Sequence, residues 1–451
     1  MHPTRPKTVP TDDLFRSRLD NIINLRHPLV KLSETIDWKY LEEKNASFYS
    51  EEGRPGVNSR LMIGLHILKF MYNLSDENVC DRWVYDPYFQ YFCGENYFQH
   101  EFPIERSSMT HWRNRVGEKF CECLVQESLM TAHQLGALKP KDAERVIVDT
   151  TVQPKAITFP TDAKLYQKAI VHLAKLAKKN AIQLRQSYVR VSKAALIQVS
   201  RYRHAKQMKR AKKAQRKLKT YLGRIIRDIR RKTQHDDKLI ACFKESLRKG
   251  QKILNQQKED SDKLYSWHAP EVECIGKGKA DKPYEFGCKV SIMTNLHPAP
   301  AGHFVLHAQA LHGRPYDGHT LKPVIESMQA QTGLTIKRTY VDDGYRGHNC
   351  SQFRVYRTRQ KRGITPIIKR ELKRRAAIEP VIGHLKQDSR LGRNYLTGQV
   401  GDKINALLCA AGYNFRLILR WLRKIFWLIF MELLEGQDLL RTQQNFLKQV
   451  F

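Results

Sequence analysis

Apolar residues recur at helical spacing over much of this chain and crowd into strand-like runs at a few places. From Asn58 the series Leu61, Ile63, Leu65, Leu68, Met71, Tyr72 and Leu74 predicts a helix that Asn58 can cap. Ser75 can cap a second helix, Asp76 to about Val84, with Asp76 and Glu77 in the first turn, where the helix dipole favours negative charge. The capping-box position itself holds Asn78 rather than Glu or Gln. A third helix is expected from Ser107 or Ser108 to Phe120, and a fourth from there to about Leu135. Helix, short turn, helix is compatible with a DNA-binding helix-turn-helix and equally with a packing or dimerisation domain. Arg113 and Arg115, one turn into a capped helix, are the candidates for phosphate or base contact; the plain reading of each is a solvated arginine.

After Asp162 the pattern is strongly helical. Ile170, Leu173, Ala177, Ala181, Leu184, Tyr188 and Val191 form one stripe, and Leu218, Leu222, Ile225 and Ile229 repeat it, with Gly223 and Gly250 as candidate interruptions. On either side of this segment the runs are strand-like. Arg145 to Val152 places Val146-Ile147-Val148 directly before Asp149, a buried strand with an acid at its edge. Glu285 to Thr294 and His303 to His312 read as two further strands, and Asp317 to about Gln331 as a helix. Ile336 to Val341 is a strand ending in Asp342, and Ile364 to Ile368 is expected to be a last short strand.

Charge changes this picture. The chain has 451 residues, long enough for about three domains, and its 79 Lys+Arg against 45 Asp+Glu give a net charge of +34. Between Tyr166 and Tyr265 there are 29 Lys+Arg and 7 Asp+Glu, a net +22, so one helical stretch carries most of the excess. That stretch is a cationic arm with one apolar seam, suited to sequence-blind contact with a phosphate backbone; its plain reading is a solvated helical hairpin. The N-terminal MHPTRPKTVPTDD lacks the apolar core of a signal peptide, and Leu417 to Leu434 carries Arg420, Arg423, Lys424 and Glu432. The latter is therefore read as a buried C-terminal helix rather than a membrane span. Nine cysteines without a C-x-x-C pair point to reduced thiols, a cytoplasmic setting and no structural zinc. His303, His307, His312 and His319 likewise lack a zinc-type spacing.

The candidate chemistry lies in three acids. Asp149 and Asp342 end strands, and Glu379 sits in a basic helical stretch, Leu372 to Lys386. Asp343 is the rival for the second position, but Asp342 directly ends its strand. At about 100° per residue, Arg375, Glu379 and Lys386 project within roughly 40° of one another, an arrangement able to hold a cation and grip an anion. Pro380 disfavours α geometry at Glu379 and predicts a kink or a fresh helix start there, which keeps Glu379 and Lys386 on one face but not necessarily Arg375. Three carboxylates converging at the edge of a mixed sheet are what a pair of Mg²⁺ ions needs to clamp the attacking and leaving oxygens of a phosphodiester.

With those residues in view, the chain resembles bacterial insertion-sequence DDE transposases, particularly insertion-sequence family five and its relatives. Arg54-Pro55-Gly56-Val57-Asn58-Ser59-Arg60-Leu61 resembles part of the family's N-terminal helical domain, and Val148-Asp149-Thr150-Thr151 its first acidic motif. Val341-Asp342-Asp343-Gly344-Tyr345-Arg346-Gly347 is similar to the second. The third signature is Tyr, two residues, Arg, three residues, Glu, six residues, Lys; Arg375, Glu379 and Lys386 fit it, while Leu372 stands at the tyrosine position. The resemblance implies a ribonuclease H-like catalytic core with Asp149, Asp342 and Glu379 as catalytic, metal-binding triad, two Mg²⁺ ions for which Mn²⁺ can substitute, and Arg375 and Lys386 as DNA contacts.

The expected architecture is α/β. An all-α N-terminal, DNA-end-binding domain (1–138) precedes a ribonuclease H-like mixed sheet with helices (139–162 plus 266–435), which is interrupted by a basic all-helical insertion (163–265). The expected function is that of a bacterial, nucleoid-associated cytoplasmic DNA transposase. It would bind the terminal inverted repeats of its element, cleave at the ends and join the 3′-OH ends to target DNA, as a homodimer on paired ends and without a membrane partner. A domesticated Mg²⁺-dependent nuclease on the same fold, or a non-catalytic architectural nucleic-acid binder, are the alternatives.

Overall fold

The Asn58 side chain accepts hydrogen bonds from the backbone N–H groups of Arg60 and Leu61 and so starts the helix expected there. That helix, Ser59–Met71, is buried at nearly every position, which is why its apolar residues run all the way round rather than along one stripe. The computed structural model describes residues 17–50, 52, 56–276 and 283–450, with side chains to 426. The N-terminal MHPTRPKTVPTDD and the Arg54-Pro55 pair of the first family motif therefore lie outside the described residues.

The chain divides into two compact units, Met1–Pro154 with Cys288–Phe451, and Lys155–Gly287. In the first, among the described residues, seven helices precede the sheet: α1 (Leu19–Ile22), α2 (Pro28–Thr35), α3 (Trp38–Ala46), α4 (Ser59–Met71), α5 (Asp76–Tyr85), α6 (Pro87–Phe92) and α7 (Ser108–Gln134). Ser75 caps α5 by accepting from Asn78 N–H. The two helices expected between Ser107 and Leu135 are one element, α7, bent where Gly117 takes φ +60°. Apolar residues on both sides of position 138, from α2 through α7 to the strands and C-terminal helices, belong to one cluster.

The second unit opens with α8 (Asp162–Lys179), followed by α9 (Val189–His204), α10 (Met208–Thr233) and α11 (Asp237–Asn255). Thr161 caps α8 and Asp236 caps α11. The long stripe expected to run from Ile170 to Val191 is interrupted: Ile170, Leu173 and Ala177 are buried, but α8 stops at Lys179, and Ala181 and Tyr188 adopt positive φ. The helices instead close on a separate core built from α8, α9, α10 and α11. On α10, Leu218, Leu222, Ile225 and Ile229 face that core, while Lys212, Lys213, Arg216, Lys217, Arg224 and Arg227 are exposed. This is the amphipathic cationic helix that the sequence pattern describes.

The sheet is mixed, with order β2-β3-β1-β5-β6 and β4 paired to β3. Its strands are β1 (Arg145–Pro154), β2 (Glu273–Gly276), β3 (Tyr284–Asn295), β4 (Val305–Leu311), β5 (Arg338–Val341) and β6 (Val355–Arg357). β1 and β5 run parallel, Val146 opposite Thr339 and Ile147 opposite Tyr340, although 193 residues (342 − 149) separate the acids that follow. β5 and β6 are also parallel, and β3 pairs antiparallel with β4. Val146, Ile147 and Val148 are fully buried, the usual fate of a continuous apolar run in a strand covered on both faces.

The helical part of the chain resumes with α12 (Asp317–Thr332), α13 (Pro366–Arg374), a 3₁₀ turn at Arg375–Ala377, α14 (Ile378–Asp388) and α15 (Gly398–Val450). Ile364 to Ile368 is not a strand: Thr365 accepts from Ile368 N–H and Pro366 occupies the first turn, so the segment opens α13. The last strand is β6, ten residues earlier. The expected break at Glu379-Pro380 falls slightly upstream, in the 3₁₀ turn, and Pro380 sits in the first turn of α14, where its missing N–H has no partner to lose. α15 crosses α4 so closely that a Cβ at Gly412 would stand 2.6 Å from Phe70 Cβ. It is buried as far as Leu419 and turns outward at Arg420. The expected burial of the whole Leu417 to Leu434 stretch thus fails after its first turn, with side chains past 426 outside the described residues. No helix among the described residues is long and apolar enough to cross a membrane.

Candidate active site

Parallel neighbours β1 and β5 bring two acids from distant parts of the chain to one edge of the sheet. Asp149 lies in β1, its Oδ1 accepting from Thr150 N–H at 2.8 Å. Asp342 directly follows β5 and accepts from the Thr358 hydroxyl at 2.8 Å. The third acid, Glu379, is in the first turn of α14 with its side chain 66% exposed. Arg375, in the 3₁₀ turn just before, joins all three. Its Nη1 is 3.2 Å from Asp149 Oδ2, and its Nη2 lies 3.8 Å from Asp342 Oδ1 and 3.7 Å from Glu379 Oε1. The guanidinium is only 14% exposed. One cation thus sits where three carboxylates from three elements converge.

The helix that carries this group is fastened from beneath. Glu371 on α13 is buried and accepts from Arg145 at 2.9 Å, from Arg338 at 3.1 Å and from the Tyr340 hydroxyl. Arg145 belongs to β1, and Arg338 and Tyr340 to β5, so one carboxylate ties α13 to the two strands that bear the acids. Leu372, at the position where the family has tyrosine, packs against the main apolar cluster.

Electrostatics distinguish the two aspartates. Burial pushes the Asp149 carboxyl above its ordinary value, Asp342 and Asp317 add to the rise, and Thr150 N–H and Arg375 offset part of it. Burial also opposes the charge on Asp342, but Thr358, the Asp343 N–H and Arg375 outweigh it and hold that carboxyl below the ordinary value. Asp343, the rival, is turned away: it pairs with Arg346 and Arg357, each at 3.1 Å.

Other expectations land differently. Arg113 is not presented to a ligand. It is 3% exposed, and its guanidinium is committed to a two-point pair with Asp76 at 2.9 and 2.7 Å and to Thr110 Oγ1. It is a structural counter-charge within the N-terminal helices, a role that spacing on a helix does not separate from an exposed one. Arg115 is exposed and lies over the Tyr49 ring, 4.6 Å from its centroid. Lys386 is half-buried on α14. The four histidines do not gather: His303 bonds the Asn295 carbonyl, and His307 bonds Ser327 Oγ and is pushed down to about 4 by burial.

Sequence reasoning missed Asp317, at the start of α12, which accepts from Thr150 Oγ1 and from Lys289 Nζ, both at 3.0 Å. It also missed Tyr345, fully buried beside the acids. The signal that could have found the first was Lys289, the one cation in the β3 run. Such a residue needs a buried acid opposite it.

The donor set of Asp149, Asp342 and Glu379 is all oxygen and already holds a cationic group, which suits a hard divalent ion. Residues 17–115 match the family described as "Transposase domain (DUF772)" and residues 256–415 the family described as "Transposase DDE domain". The second match includes Asp342, Arg375, Glu379 and Lys386; Asp149 lies between the two matches and joins the group through β1. The chain is also 51% identical over 207 residues to "Uncharacterized protein ORF8 in nfe locus" from Rhizobium meliloti, spanning 46% of this chain and all of that protein. No solved structure matches the chain. With a transposase domain at each end of the chain and acids converging from two parallel strands and a helix, this protein belongs to the insertion-sequence DDE transposases, metal-dependent enzymes that cut DNA and transfer its strands.

Proposed function

We propose that the chain binds the terminal inverted repeats of its own insertion sequence, cleaves at their ends and joins the freed 3′-OH groups to target DNA. Asp149, Asp342 and Glu379 are its metal-holding triad on a ribonuclease H-like core. The observation that carries this reading is the meeting of these carboxylates around the single Arg375 guanidinium. Two Mg²⁺ ions, or Mn²⁺ in their place, would supply an activated water and neutralise charge developing on the phosphodiester.

The remaining roles belong to the chain itself. Arg375 holds the acids together, and once freed of them its planar fork suits a phosphate. Lys386, seven residues along α14, reaches the same strand of DNA, and Arg115 serves the end-binding helices (1–138). The exposed basic face of α10 follows the phosphate backbone without reading sequence. Synapsis of two element ends needs two copies of the chain, so the working form is a homodimer.

The test is a cleavage and end-binding pair on DNA carrying the element's ends. Asp149→Asn, Asp342→Asn and Glu379→Gln should each abolish cleavage and leave end binding close to that of the natural protein. A variant that cuts normally removes its residue from the triad.

A further inference from the structure

A second group of ligand-type side chains lies away from the three acids. Cys288 on β3, His312 just past the end of β4 and Asp402 in α15 bring a sulfur, an imidazole nitrogen and a carboxylate oxygen within 4.8 Å of one another. Among the described residues this is the one set of three such groups that meets so closely. It unites positions 24 and 90 residues apart (312 − 288, 402 − 312), which no ligand spacing in the sequence announces. Cys288 and Asp402 are buried, and the His312 side chain is 14% exposed.

We propose that Cys288, His312 and Asp402 form a binding site for a zinc-class divalent ion, with water as the fourth ligand on the open side at His312. The donors decide the class. One thiolate, one imidazole and one carboxylate suit borderline-soft Zn²⁺ or Co²⁺, whereas Mg²⁺ demands oxygen alone. Geometry agrees. With bonds of about 2.0–2.3 Å, tetrahedral neighbours stand roughly 3.3–3.6 Å apart. His312 Nε2 and Asp402 Oδ2 are already 3.9 Å apart, within a few tenths of an ångström of that spacing.

The surroundings are those of a held ligand set. Asn394 Nδ2 donates to Asp402 Oδ1 at 2.7 Å, leaving Oδ2 as the oxygen toward His312. Gln153 Nε2 donates to Cys288 Sγ at 3.5 Å and to the Asp402 carbonyl at 3.1 Å, and Asn405 in turn donates to Gln153 Oε1 at 2.8 Å. Such outer partners fix the orientation and basicity of metal ligands. The site pins the start of α15 to β3 and β4 through residues that β1 touches at Gln153, four positions beyond Asp149. It is independent of the acid triad and needs none of its residues.

Metal analysis of the untagged full-length protein, grown with added zinc and purified without chelator, tests this directly. One equivalent of zinc per chain is expected. Cys288→Ser and His312→Ala should lose it while keeping the natural helical circular dichroism, and Asp149→Asn should retain it. Exchange with Co²⁺ should give a near-ultraviolet thiolate-to-cobalt band that Cys288→Ser lacks. Asn394→Ala should bind zinc roughly 10–100-fold more weakly in chelator competition. The proposal is overturned if the natural protein holds no zinc and shows no thiolate band with cobalt. It is equally overturned if Cys288→Ser keeps the full equivalent, or if Asp149→Asn loses it.

Discussion

Replacing Arg375 by alanine should tighten the binding of a divalent ion to the three acids, even though it removes the arginine of the third motif. The guanidinium occupies the space between Asp149, Asp342 and Glu379, so an ion entering there first has to displace it. What that displacement costs follows from exposure. The Asp342 and Glu379 side chains are 53% and 66% exposed, so their pairs with Arg375 are screened and contribute about 0.2–1 kcal/mol each. Asp149 is deeper and bonds Nη1 at 3.2 Å, a charged hydrogen bond contributing about 1.5 kcal/mol. Together these amount to about 2–3.5 kcal/mol, or roughly 30–300-fold in Kd. Calorimetric titration of the DNA-free protein with Ca²⁺ measures it, with Asp149→Ala/Arg375→Ala as the control in which the gain disappears. Arg375→Lys, which keeps the charge but not the fork, should fall between. Equal or weaker Ca²⁺ binding by Arg375→Ala would show that the guanidinium does not compete for the site.

Asp76→Asn should destabilise the protein by about 3–5 kcal/mol, because Lys69 and Arg113, 5% and 4% exposed, lose their shared counter-charge; a urea midpoint that does not move would contradict the buried triad of charges. Burial opposes the charge on Asp76, yet Arg113 and Lys69 hold its carboxyl well below the ordinary 3.8. The unfolded chain therefore takes up that proton first. The stability Asp76 contributes is complete above 3.8 and is lost as pH falls toward the folded value, so acid unfolding should be steeper in the natural protein than in Asp76→Asn. Glu371→Gln should cost about 1.5–3 kcal/mol and, by loosening α13, lower cleavage more than end binding; equal losses in both would deny Glu371 its role in placing Arg375 and Glu379. Neutralising Lys213, Arg216, Lys217 and Arg224 on α10 should make the salt dependence of DNA binding shallower by about 0.9 in log–log slope for each side chain that meets a phosphate. An unchanged slope takes this face off the DNA path.

Much of the frame of the candidate site was legible because it is written locally. Val146-Ile147-Val148-Asp149 and Thr339-Tyr340-Val341-Asp342 each combine a strand-forming run with an acid, and the two runs pair in parallel; Asp342 does end its strand, but β1 continues through Asp149, where the sequence pattern puts an edge, to Pro154. Asn58 and Ser75 announce their helices because a cap is a contact between neighbours in sequence. What failed depended on the fold. Ile364 to Ile368 has strand-like composition, and only the Thr365-Pro366 pair told of a helix start. Arg113 and Arg115 look alike on a helix, but one faces Asp76 in the interior and the other lies open over Tyr49. Projection put Arg375 near Glu379; that it would also reach Asp149 and Asp342 depends on Glu371 fixing α13 to β1 and β5, the first through a bond between residues 226 positions apart. The Cys288, His312 and Asp402 group was invisible for the same reason.

The crossing of α4 by α15 has a consequence for how the protein is made. Phe70 and Gly412, which touch at that crossing, are 342 residues apart (412 − 70). At about 5–20 residues per second, the ribosome takes about 17–70 s to travel between them. Throughout that interval α4, buried at nearly every position in the finished enzyme, has no cover from α15. The nascent chain therefore carries a long-lived sticky intermediate, and any truncation before α15 leaves it permanently uncovered. Yield of active enzyme should then be set by translation speed and chaperone supply as much as by the stability of the finished fold, and slow, cool expression should favour it.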